Sequence, residues 1–234
     1  MSFYRTATSA TIGTVVTTSR LMVVIGRQVK RFNLLFRFFW GQRTKMKLLE
    51  DKILNEGKVL DGGILKVDGF LNHRLDVALI SELGSDIARE FAASGATLIM
   101  TVESSGISIA YAAGEKLRLP VLVAKKHRSL NISDGVYTAP VFSFTHKVEN
   151  NVVVSREYLT AGERVLIVDD FLASGNAALG LLSLIEQAGA TAVGFVAAIE
   201  KSEQGGRALI EAKGIKVYSL ARIKEMRAGE IIFE

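Results

Sequence analysis

The chain has 234 residues, 49% of them hydrophobic and only 2 of them proline, which suits one α/β domain or a domain with a small appendage and disfavours extended disorder. It has no cysteine, which excludes disulfides and cysteine-based zinc sites, and no apolar run nears the roughly 18 residues that span a bilayer. The net charge of +5 is uneven: residues 1–45 hold eight basic residues and no acid, leaving 21 Lys and Arg against 24 Asp and Glu in 46–234, so the basic balance is no argument for nucleic-acid binding by the body of the protein.

Residues 1–45 read differently from the rest. Thr and Ser dominate 6–19, FNLLFRFFWG follows, and neither a clean strand nor a clean amphipathic helix emerges. A basic, hydroxyl-rich, acid-free segment fits a transit peptide, the aromatic cluster around Arg37 fits a membrane-surface anchor, and both compete with translated sequence upstream of a start at Met46. The third reading is adopted because the pattern from Met46 onward is regular and self-contained. The expected organisation is an extension over 1–45 outside the fold and one domain over 46–234.

From Met46 the apolar residues 48, 49, 53 and 54, with Gly57 at the stop, predict a short amphipathic helix. A partly extended segment, ILKVDGFLNHRLD, carries Asn72 and His73. Leu79, Leu83, Ile87 and Phe91 line one face of a second helix ending near Gly95. TLIMTV at 97–102 reads as a buried strand, 104–117 as a helix and 121–124 as a strand. Residues 125–151 lack a long apolar period, although VFSF could form a short strand paired with VVVS at 152–155. A strand at 164–168, a helix face at Ala178, Leu181, Leu182 and Ile185, a strand at 192–199, a helix at 204–213 and a last strand at 217–220 follow. This alternation predicts a mostly parallel sheet covered by helices on both faces.

The stretch VLIVDDFLASGNAA, residues 165–178, carries the chemistry. A buried strand ends in two carboxylates, Asp169 and Asp170, and ligands of open parallel sheets collect at such strand ends. Carboxylates accept hydrogen bonds from sugar hydroxyls. The small turn from Ala173 to Ala177 opens a helix whose free N–H groups and dipole suit a phosphate. A helix cap needs one acid beside the first turn, whereas five residues separate this pair from the helix. The turn lacks the second glycine and the Lys-Ser/Thr of a nucleoside-triphosphate loop, and no G-x-G-x-x-G occurs. The residues alone therefore describe a ribose-phosphate receptor.

Four apolar residues, two acids, two apolar residues and a small Ser-Gly turn resemble the signature of the type I phosphoribosyltransferases. ILKVDGFLNH, VESSGI, KKHRSL, IVDDFLASGNA, IEKS and SLARI extend the resemblance over 46–234 and, within that family, to members that use xanthine. It implies the type I fold, with a small hood made from the N- and C-terminal segments. It implies transfer of the phosphoribosyl group of phosphoribosyl pyrophosphate to xanthine, with Mg2+ carried by the diphosphate and no direct protein metal site. By the same resemblance Asp169 and Asp170 bind the ribose hydroxyls, and Ala173, Ser174, Gly175, Asn176 and Ala177 hold the 5-phosphate. Glu103, Ser104, Ser105 and Gly106 form the pyrophosphate loop. Leu65, Asn72 and Lys201 recognise the base, and 129–151 supply a lid.

Lys125 and Lys126, with His127 and Arg128, form a cationic cluster that calls for a shared anion, which pyrophosphate supplies. A cytoplasmic homodimer without nucleic-acid or membrane partners is implied too. One departure stands out: Ala173 replaces an acid that some purine-using relatives carry, so no general acid or base is assigned. A hypoxanthine- and guanine-using enzyme and a purine-sensing regulator on the same domain are the alternatives, the second weakened by the lack of a helix-turn-helix pattern in 1–45.

Overall fold

A computed structural model describes residues 13–17, 20–25, 28–31, 47–126, 135–143, 148–227 and 230–234. The chain divides into two units, Met1–Thr44 and Lys45–Glu234. In the first, β1 (Gly13–Thr17), β2 (Arg20–Ile25) and β3 (Gln28–Arg31) form an antiparallel sheet in the order β1-β2-β3, where the sequence suggested no clean strand. The alternation there is blurred by basic residues and adjacent valines, so local pattern alone does not reveal it.

The second unit opens with α1, residues 47–56. Of its four apolar positions, Leu49 and Ile53 are buried while Leu48 and Leu54 remain largely exposed. Two adjacent pairs make a stripe wider than the neighbouring core accepts. The segment predicted as partly extended is a tight hairpin, β4 (Lys58–Leu60) with β5 (Ile64–Lys66), followed by one π-helical turn at Asp68–Asn72. Then α2 (Val77–Phe91) buries the expected Leu79, Leu83, Ile87 and Phe91, and Asp76 caps it by accepting the Leu79 N–H at 3.1 Å.

β6 (Leu98–Val102), α3 (Ile107–Leu117) and β7 (Val121–Ala124) follow, and α3 begins three residues later than predicted because 103–106 form a turn. Gly84 of α2 lies so close to Ala112 of α3 that a Cβ would meet the Ala112 carbonyl carbon at 2.6 Å. Gly84→Ala is therefore expected to destabilise the fold by about 1–3 kcal/mol through overpacking, despite alanine's better helix propensity. A urea-unfolding midpoint equal to wild type would contradict this contact.

β8 (Val136–Ser143) and β9 (Val148–Ser155) form an antiparallel hairpin. VVVS pairs with VYTA at 136–139 rather than with VFSF, and each strand is eight residues long. The proposed lid overlaps this hairpin, but His127, Arg128 and residues 129–134 and 144–147 lie outside the described residues.

The chain continues through β10 (Arg164–Leu172), α4 (Asn176–Gln187), β11 (Thr191–Lys201), α5 (Gly206–Glu211), β12 (Val217–Arg227) and β13 (Glu230–Phe233). The main sheet runs β13-β12-β11-β10-β6-β7, parallel except for β13, which pairs antiparallel with β12. Helices cover both faces, giving two core clusters: one around α2 and α3, the other around α4 and the hairpin. Leu49, Leu65 and Phe70 from the N-terminal segments share the first cluster with Ile223, and Ile231 and Phe233 pack against it. The hood is thus built from both ends of the domain.

Candidate active site

Strand order locates the site before any side chain does. β6 runs outward to β7 on one side, and β10 runs outward through β11 and β12 on the other. The adjacent strands β6 and β10 mark the point where the order reverses, and ligands of open parallel sheets bind beyond the carboxyl ends of such strands. Pairing of β10 with β6 ends at Ile167↔Met100, whereas pairing with β11 continues to Leu172↔Glu200. Past Ile167, then, β10 is free on its β6 side. Asp169 and Asp170 occupy this stretch, inside the strand and not beyond its end as the sequence suggested, because the β11 ladder carries the strand to Leu172.

Asp169 is 4% exposed and its Oδ1 accepts the Asp170 N–H at 3.0 Å. Burial, and then the charge of Asp170, push its carboxyl well above the ordinary value, with Lys126 opposing weakly. Asp170 is also raised by burial, while hydrogen bonds from Asp169 and from the Asn72 side chain oppose the shift. The turn after β6 presses on this pair. A Cβ on Gly106 would lie 2.9 Å from Asp169 Oδ1 and collide with the Thr101 hydroxyl, so this position takes only glycine.

The turn at 173–177 follows directly. Gly175 has φ +85° and ends the turn as the N-cap of α4, with no side chain accepting from the first helical N–H groups. Those donors face whatever lies beyond the helix end, and the dipole there favours an anion. The turn rests on Gly206, whose N–H donates to the Ala173 carbonyl at 3.0 Å and whose Cα would lie 3.1 Å from a Cβ on Gly175. Gly206 escaped the sequence reading because nothing local marks it; only the close approach of two backbones does.

Across the switch point stand Glu103, Ser104, Ser105 and Gly106, with a cis peptide between Glu103 and Ser104. The Glu103 carboxylate has partners within the protein. It accepts the Lys126 N–H at 2.6 Å and pairs with Lys125 Nζ at 3.4 Å. Burial raises its pKa, but these hydrogen bonds and lysine charges outweigh that and leave it below the ordinary value. Within the protein, then, Glu103 pairs with the Lys125 ammonium and the Lys126 backbone, while His127 and Arg128 of the cationic cluster lie outside the described residues. Lys125 also forms a two-way backbone bridge with Val153, at 3.0 and 2.8 Å, tying this edge to the hairpin.

The base-side candidates separate. Lys201, the last residue of β11, is half-buried; its Nζ donates to the Gly63 carbonyl at 2.9 Å and lies 5.8 Å from the Phe171 ring centroid. Burial lowers its pKa, and among the described residues it forms no ion pair. Two of its three N–H donors remain for a ligand. Asn72 is exposed, and its side chain favours the ionised form of Asp170. Leu65 is buried in the core, so its side chain is not available, and any ligand contact it makes is through its backbone. Phe171 and Gly63 complete this corner. Alternation after the acid pair could have pointed to Phe171, while Gly63 is 138 residues from Lys201 in sequence.

Residues 66–219 match the Phosphoribosyl transferase domain family. The chain belongs to this family. Xanthine phosphoribosyltransferase of Pseudomonas entomophila is 49% identical over 188 residues, 80% of this chain and 99% of that relative. The enzyme of the same name from Listeria monocytogenes is 48% identical, over 80% of this chain and 98% of its own length. Among solved structures, adenine phosphoribosyltransferase from Rhodothermus marinus aligns with a TM-score of 0.64 at 19% identity, over 77% of this chain and 99% of that one. The Giardia lamblia enzyme complexed with 9-deazaadenine also gives 0.64, at 17% identity over 76% and 98%. These structures share the type I phosphoribosyltransferase fold with the chain. No helix among its described residues is long and apolar enough to cross a membrane.

Proposed function

We propose that this phosphoribosyltransferase joins xanthine to phosphoribosyl pyrophosphate, releasing pyrophosphate and xanthosine 5-monophosphate. The observation that carries the reading is the switch-point geometry: the acid pair in the last residues of β10, the uncapped N-terminus of α4 and Lys201 at the end of β11, which forms no ion pair among the described residues, all lie at the carboxyl end of the parallel sheet. Asp169 and Asp170 accept the ribose 2- and 3-hydroxyls, and the N–H groups of residues 173–177 take the 5-phosphate. The turn at 103–106 and Lys126 lie on the diphosphate side. Lys201, a pure donor, meets the 6-oxo group of the base and is repelled by a 6-amino group. Asn72 offers both donor and acceptor to the 2-oxo edge.

With Ala173 in the turn, no side chain there moves a proton. The acidity of xanthine makes its anion the nucleophile, and the work of the chain is positioning and electrostatic stabilisation as the C1–oxygen bond to pyrophosphate breaks. Among the described residues no three acids or histidines gather into a metal cage. An acid pair beside a diphosphate site is compatible with Mg2+ carried in by the substrate phosphates. Carried there, the ion would supply charge neutralisation for the departing diphosphate. Action in the cytoplasm as a homodimer completes the reading.

The test compares xanthine, guanine, hypoxanthine and adenine side by side, with Mg2+ and phosphoribosyl pyrophosphate present. Pyrophosphate release is expected to be fastest with xanthine, weaker with guanine and absent with adenine. No xanthine-dependent release sinks the proposal, and a preference for hypoxanthine transfers it to the sister activity.

A further inference from the structure

Glu200 is 1% exposed, next to Lys201 on β11 and opposite both Leu172 and Arg222 in the sheet. Arg207 grips it with two parallel hydrogen bonds, Nε to Oε1 at 2.8 Å and Nη2 to Oε2 at 2.6 Å. Arg222 adds a third at 3.2 Å and is itself held by Glu234 at 2.6 Å. Arg207 further donates to Glu211 and to the Val217 carbonyl, each at 3.0 Å. A buried ion pair of this kind is poor evidence of a stabilising role, since an apolar pair of equal volume often does as well. What it supplies is a fixed place for the backbone of Arg207, and the residue before Arg207 is Gly206.

Gly206 is the floor of the phosphate turn. Beyond its hydrogen bond to Ala173, a Cβ there would run into the Ala173 carbonyl oxygen and lie 2.8 Å from the Gly175 nitrogen. Leu172, the last residue before the turn, is in register with Glu200. The turn is therefore held from two sides by elements that meet in the Glu200–Arg207 pair, although neither charged group touches the turn itself.

We infer that Glu200 and Arg207 are positioning residues that set the height of the 173–177 turn through Gly206, and with it the affinity for the 5-phosphate of the ribose. The inference rests on the proposed phosphate-binding role of that turn. It predicts a split between substrates. Arg207→Met is expected to raise the KM for phosphoribosyl pyrophosphate about tenfold, a shift of the size that a small misplacement of binding groups produces, while the KM for xanthine changes less than about twofold. Arg207→Lys, which restores the charge but not the fork, is expected to recover part of the loss. Gly206→Ala reaches the turn without touching the ion pair and is expected to reproduce the selective effect, with a parallel drop in affinity for ribose 5-phosphate by calorimetry.

A folded Arg207→Met enzyme with unchanged KM for phosphoribosyl pyrophosphate, or with equal rises for both substrates, overturns the inference. Should Arg207→Met not fold, Arg207→Lys and Gly206→Ala decide by the same criterion. Wild-type protein that binds no ribose 5-phosphate refutes the underlying reading of the turn instead, whatever the variants do.

Discussion

Replacing Asp169 with asparagine is expected to lower kcat/KM by about 100-fold and, at neutral pH, to raise the melting temperature. The activity loss follows from the acceptor count. An ionised carboxylate offers two acceptor oxygens to sugar hydroxyls, whereas an amide offers one and presents a donor in place of the other. Hydrogen bonds to charged groups contribute about 1.5–3 kcal/mol, and the positive charge that develops on the sugar loses its nearest counter-charge as well. The stability gain follows from burial. Asp169 has a native pKa above that of the unfolded chain, so the native state binds the proton more tightly. Stability from this group is then fully present below the unfolded carboxyl value and is lost as pH rises through the native pKa. Asparagine removes that titration, with about 2–4 °C gained for each kcal/mol recovered in a domain of this size. The gain shrinks to nothing as pH drops below the ordinary carboxyl range. Asp170→Asn is expected to cost similar activity with a smaller gain, since its raised pKa is opposed by hydrogen bonds from Asp169 and Asn72. Turnover near wild type in both variants would contradict the ribose assignment; a melting temperature lowered by Asp169→Asn would contradict the buried, proton-hungry carboxyl.

That same residue shows where sequence stops being informative. The apolar run of β10 and the face of α2 were legible because burial on both sides of a parallel strand, or on one side of a helix, leaves a local pattern. The turn at 173–177 was legible because glycine and small residues before a helix have a local cause. What continued β10 past Val168 was its pairing with β11, a partner more than twenty residues away that no window contains. The same holds for β12, predicted to stop at Leu220 but carried to Arg227 by β13, and for the hairpin, whose register joins VVVS to VYTA. At the site, the acid pair and the turn could be read in one stretch of fourteen residues. The contacts that arrange them could not: Gly206 beneath Ala173, Glu103 between Lys125 and Lys126, and Gly63 on Lys201 each depend on chain segments brought together by the sheet. Residues that carry charge to a ligand leave a signature in sequence, while the backbone atoms that aim them leave almost none.

Lys201 offers the sharpest separation of base from sugar. Lys201→Ala is expected to raise the KM for xanthine about 30- to 100-fold and that for phosphoribosyl pyrophosphate less than about threefold, because a charge-assisted hydrogen bond to the purine 6-oxo group contributes about 2–3 kcal/mol and touches nothing of the sugar phosphate. Its ammonium is already partly desolvated, pinned by the Gly63 carbonyl and set against the Phe171 ring, so little reorganisation is needed when the base arrives. Lys201→Met tests whether charge or packing is responsible: it keeps the apolar stem against Phe171 and removes every donor. Methionine is expected to match alanine in xanthine KM; a methionine enzyme close to wild type would assign the effect to packing. Both variants are also expected to narrow the discrimination against adenine, since the donor that repels a 6-amino group is gone. An equal rise in the two KM values would mean that Lys201 holds the site together and does not read the base.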